Sequence, residues 1–171
     1  MNRRSWIMTG LLLAAVVVAL AAPLHSGTAR AQATLSRVRF LHAVPGAPAV
    51  DVYLDDTAIA AGLAFGDVTP HLNVTGAEHQ VALRPSGAAS DSPALLEVAV
   101  PLVPSLAFTV VVQGTADALE AALYEDILDP IDPGMARLTA ISAIADAPPL
   151  DVLTTAGGPL LQGVSYGAQF G

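Results

Sequence analysis

Gly163-Val164-Ser165-Tyr166-Gly167 is the segment whose spacing could supply a nucleophile. A G-x-S-x-G run works by setting serine on a strained strand-to-helix turn, with an acid and a histidine following in the chain. Four residues follow Gly167, and none is Asp, Glu or His. The run therefore predicts no catalytic serine, and no catalytic residue is expected elsewhere. Glu125, Asp126, Asp129 and Asp132 offer carboxylate oxygens, the donors calcium prefers. Their spacing is not that of a D-x-D-x-D-G loop, and Pro130 and Pro133 stiffen the stretch. It reads first as a solvated linker, with Asp126, Asp129 and Asp132 kept as calcium candidates. No other cofactor is implied.

Asp51 and Asp151 each sit inside an otherwise apolar stretch. A carboxylate there must be hydrogen-bonded or paired, because an isolated buried charge is costly. One reading is a ligand or cation site. The favoured reading is structural: the carboxylate accepts backbone N–H groups of the preceding Pro-rich loop, with Arg37 and Arg137 as ion-pair partners. Pro48, Asp51 and Gly66, and likewise Pro148, Asp151 and Gly167, are then structural corners. His42, His71 and His79 lack the paired spacing of metal ligands. His71 and His79 could meet across a hairpin, although surface exposure is the default for all three. Asn73-Val74-Thr75 is a glycosylation sequon. There is no P-loop, no dinucleotide fingerprint and no basic aromatic patch.

The elements that position these residues begin after a leader. Arg3 and Arg4 precede an apolar run from Ile7 to Ala22, Pro23 breaks it, and Ala29-Arg30-Ala31 supplies small residues at a cleavage site. That order is a secretory signal peptide over residues 1–31, cut after Ala31 or alternatively Ala33. The run is shorter than the roughly 20 residues a spanning helix needs, and no later segment is long and apolar enough to span. The expected destination is extracytoplasmic: periplasm, cell surface or medium. The chain has no cysteine, so core burial must stabilise it unaided.

Beyond residue 31, four arginines face fifteen carboxylates, a net charge of −11 with no lysine. That balance argues against nucleic acid and anionic membranes as partners, since both select a basic footprint. The rest reads as short strands between turns. Arg37–His42 and Gln80–Arg84 alternate, Val50–Leu54 leads into a tight turn at Asp55-Asp56, and Leu63–Phe65 and His71–Val74 are short candidates. Phe108–Gln113, rich in β-branched residues, predicts a central strand buried on both faces. Leu119–Tyr124 favours helix by propensity, but its length and position read as strand. Seven to nine strands in an antiparallel β-sandwich, immunoglobulin-like or related, are expected over residues 34–125. Residues 126–135 form an acidic, Pro-rich linker.

The beginning then returns. Ala47-Pro48-Ala49-Val50-Asp51-Val52 matches Ala147-Pro148-Pro149-Leu150-Asp151-Val152, and Gly62-Leu63-Ala64-Phe65-Gly66 matches Gly163-Val164-Ser165-Tyr166-Gly167 after one insertion. Collinear matching of this kind predicts tandem domains, with residues 136–171 an incomplete second copy. A sheet lacking its central strand has an open edge, so this segment is expected to dock on the first domain, stay partly disordered or pair with another chain.

His42-Ala43-Val44-Pro45-Gly46-Ala47-Pro48-Ala49-Val50-Asp51-Val52-Tyr53, followed by Gly62-Leu63-Ala64-Phe65-Gly66, resembles the DUF4397 family. That family's opening is a His-Ala-Ser-Pro-Asp-Ala-Pro-x-Val-Asp-Val pattern with a later Leu-x-Tyr/Phe-Gly segment. The resemblance covers residues 36–125 and, in part, 136–167. Val44 and Gly46 depart from it, as do Ser142, Ile144 and Ala145 in the return. It implies a bacterial exported β-sandwich-like domain and brings no activity with it. The expected role is a non-catalytic binding or structural module at the cell envelope, its ligand unknown. The alternatives are a calcium-stabilised adhesion module and a secreted hydrolase.

Overall fold

A computed structural model describes residues 34–170. The expected leader and both expected cleavage positions lie outside the described residues. Eight strands build the first part: β1 (Leu35–His42), β2 (Val50–Leu54), β3 (Thr57–Leu63), β4 (Leu72–Thr75), β5 (Glu78–Pro85), β6 (Leu96–Pro101), β7 (Ala107–Thr115) and β8 (Ala118–Glu125). They form two four-stranded sheets, ordered β4-β1-β7-β8 and β3-β2-β5-β6. No helix occurs among the described residues.

The pleat explains the layering. Along β1 the side chains alternate, so Val38, Phe40 and His42 turn inward and Arg37 and Arg39 outward. Val110 and Val112 come from β7, Val50, Val52 and Leu54 from β2, and Val81 and Leu83 from β5. These residues meet in one core, as a two-layer sandwich requires. Each such side chain contributes about 1.5–3 kcal/mol on burial. Strand β7 is buried along seven consecutive residues, as the run of β-branched residues predicts. Residues 118–125 form β8 because all eight pair with β7, and that ladder overrides the helical preference of Ala and Leu.

Three features depart from expectation. Strand β3 falls where the Ala-rich sequence gives little β signal. It forms as the return arm of a hairpin whose turn residues Asp55 and Asp56 have φ of 46° and 62°, the left-handed pair that a two-residue hairpin demands. Residues 64–67 are a turn rather than a strand. Finally, β1 and β7 run parallel, in register from Arg37↔Ala107 to His42↔Val112, within a sandwich whose other pairings are antiparallel.

The remaining strands are β9 (Ala140–Ile141), β10 (Leu150–Leu153), β11 (Pro159–Val164) and β12 (Gln169–Phe170). β10 pairs with β11, and β9 with β12. This segment rests against β7 and β8. A parallel bridge joins Gly114 to Ile144, the Tyr166 hydroxyl donates to Glu120 at 2.7 Å, and Gln169 Nε2 donates to the Glu125 carbonyl at 2.8 Å. Burial and the Glu120 carboxylate push the Tyr166 phenol up to about 12. Leu153 and Leu160 are half exposed, at 53% each, whereas the first sandwich encloses Val50 and Val52 completely.

Candidate functional site

The residues singled out by sequence gather first around the end of β1. His42 is fully buried, which corrects the expectation of a surface histidine. Its Nδ1 accepts the Val44 N–H at 3.2 Å. Nε2 therefore carries the proton and donates to the Pro48 carbonyl at 3.3 Å. The imidazole staples the Ala43–Ala49 loop, with both ring nitrogens hydrogen-bonded to backbone. Gly66, at φ +87°, donates to the His42 carbonyl at 2.8 Å, while the His42 N–H donates to the Asp67 carbonyl at 3.1 Å. That φ suits glycine, which lacks the Cβ that disfavours left-handed backbone.

Asp51 lies on β2, on the face away from the core. Oδ1 accepts the Gly62 N–H at 2.7 Å and Oδ2 the Gly87 N–H at 2.9 Å. These amides, Gly87 foremost, outweigh the opposing effect of burial and hold the carboxyl below its ordinary range. The donors thus belong to β3 and the loop after β5, not to the Pro-rich loop before β2. Nor does Arg37 pair with Asp51: it stands on β1, in the other sheet. Arg84 is the register partner of Asp51 on β5, and its guanidinium lies 4.7 Å from the Tyr53 ring centroid.

The returning segment repeats part of this geometry. Asp151 Oδ1 accepts the Gly163 N–H at 2.8 Å, and Gly167 donates to the Ser142 carbonyl at 2.9 Å. Gly62 and Gly163 share φ values of 67° and 69°. Ser142 stands where His42 does, and its buried Oγ has no partner. Pro148 and Asp151 are exposed. Arg137 donates to the Ile127 and Asp129 carbonyls rather than to Asp151. Among the described residues the Ser165 hydroxyl meets only the Gly163 carbonyl, at 3.4 Å, and no helix follows it.

The acidic stretch divides. Asp126 is tied to the sandwich instead of the linker. Its carboxylate accepts from Arg39 Nη2 at 3.2 Å, the Thr109 hydroxyl at 2.9 Å and His71 Nε2 at 3.0 Å. Asp126 and Asp129 line one cavity of about 160 Å³ with Glu125, and Asp132 lies outside it. No group of three metal-ligating side chains gathers among the described residues. His71 and His79 do not meet. His79 is buried and lies between the Asp55 carboxylate and the Thr75 carbonyl. Burial alone would lower His79, but these two acceptors prevail and hold it above its ordinary value. Nothing in linear spacing joins Arg39, His71, Thr109 and Asp126. The outward alternation of Arg39 was the one available sign.

A search of curated proteins finds no match. The family model for DUF4397, a domain of unknown function, matches residues 36–153. The match thus spans the first sandwich, the acidic stretch and the strand carrying Asp151. This chain belongs to the DUF4397 family of domains of unknown function.

Proposed function

We propose that this is an exported bacterial protein acting outside the cytoplasm as a non-catalytic binding or structural module of the cell envelope, with residues 136–171 a partial second copy of its first domain. One observation carries the module reading: the polar side chains of the family motif are consumed in holding backbone. His42 staples its loop, and Asp51 clamps Gly62 and Gly87. The leader sequence supports export. The paired geometry of Asp51–Gly62 and Asp151–Gly163 supports the second copy. Calcium is the weaker reading, since Asp126 is already engaged by Arg39, Thr109 and His71.

The test expresses the full chain in a bacterial host, fractionates the cells and sequences the exported N-terminus. The expected product begins at Gln32 or Thr34 and turns over no generic ester, peptide or glycoside substrate. Retention in the cytoplasm refutes export. Turnover abolished by Ser165→Ala refutes the non-catalytic reading.

A further inference from the structure

Arg84 is a half-buried arginine that no salt bridge meets among the described residues. Leu83 before it is enclosed in the core, so Arg84 points to the outer face of the β3-β2-β5-β6 sheet. There its guanidinium lies on Tyr53, and Nε donates to the Ser92 carbonyl at 2.9 Å. Nη1 is buried with no hydrogen-bond partner, and so is the hydroxyl of the same Ser92. Asp51 is opposite in register, but its oxygens accept Gly62 and Gly87, and no ion pair joins it to Arg84 among the described residues. Buried donors left without an acceptor are costly. This happens in a chain with fifteen carboxylates available.

We propose that Arg84, Ser92 and Tyr53 form a binding site for a small oxyanion, a carboxylate or inorganic phosphate. Nη1 and the Ser92 hydroxyl supply two unpartnered donors, brought near one another by the Nε bond to the Ser92 carbonyl, and the Tyr53 ring lies 4.7 Å from the guanidinium. Guanidinium donors suit the paired oxygens of both anions. Residues 86–94, which include Ser92, lie in the loop between β5 and β6. They form no strand and carry Gly87 at φ +76°, so the anion enters by displacing this loop while the sandwich stays closed. The site gives a ligand class to the module proposed above, yet it rests on the surroundings of Arg84 and not on export.

The test is thermal melting of the purified full chain at constant ionic strength, with sodium chloride exchanged stepwise for sodium acetate or sodium phosphate. The expected result is a saturable rise in midpoint of several degrees with one or both oxyanions, the two arms separating carboxylate from phosphate. Arg84→Gln abolishes the rise. Ser92→Ala, which keeps the carbonyl that holds Nε, weakens it several-fold in midpoint concentration and carries the test if Arg84→Gln does not fold. Equal midpoints in the three salts, a rise that never saturates, or a response unchanged in the variants overturns the proposal.

Discussion

Removing the Asp51 carboxylate should unfasten three elements at once, and the size of the loss follows from its bonds. Asp51→Ala deletes two charge-assisted acceptors, at 2.7 and 2.9 Å. Hydrogen bonds to charged groups contribute about 1.5–3 kcal/mol each. Gly62 and Gly87 are exposed, so water re-solvates their amides and the lower figure applies, giving a loss of about 3 kcal/mol. At this chain length each kcal/mol moves the melting midpoint by roughly 3 °C, so a fall of about 9 °C is expected. Asp151→Ala removes one bond at an exposed site and should cost no more than about 0.5 kcal/mol. The pH dependence has a definite sign. The folded carboxyl is held below its unfolded value, so its contribution is complete above about pH 4 and is lost as the pH falls through the depressed folded value. The gap between the parent protein and Asp51→Asn should therefore close in acid. Melting followed by circular dichroism from pH 7 downward measures both effects. A fall under 2 °C for Asp51→Ala, or an equal fall for Asp151→Ala, refutes the clamp.

His79 behaves oppositely: its folded value is raised, so its contribution is complete below about pH 6.5 and fades as the pH climbs through the raised value. The melting advantage of the parent over His79→Gln should narrow between pH 6 and 8, and a constant gap over that range counts against the Asp55–His79–Thr75 contact. Gly114→Ala should cost roughly 1–3 kcal/mol in urea unfolding, because an added Cβ would stand 2.4 Å from the Ala118 carbonyl at φ +98°. Gly134→Ala, with φ +84° and open space around it, should cost less, and equal losses would contradict the tight β7–β8 turn.

What could be read from sequence was local. The period-2 alternation of Arg37–His42, the β-branched run of β7 and the paired aspartates of the hairpin turn all act over a few residues, and each corresponds to an element of the fold. The misreadings share another cause. β3 has Ala where strands usually carry branched residues, and it exists because β2 offers it a ladder. Asp51 finds donors 11 and 36 residues away. Asp126 looked like linker, yet it binds an arginine 87 residues upstream. His42 and His79 passed as surface residues because the groups that satisfy their nitrogens when buried are partly backbone carbonyls and amides, which the sequence does not distinguish.

The parallel register of β1 and β7 also sets an order of events in synthesis. Arg39 and Thr109 are 70 residues apart, so the first strand made cannot gain its central neighbour until the seventh has been made. Closing so long a loop is slow compared with hairpin formation. The hairpins β2–β3 and β5–β6 can form early, but the layer that faces them waits. If residues 1–31 direct export as proposed, that delay favours passage: the polypeptide stays threadable until most of the first sandwich has been synthesised.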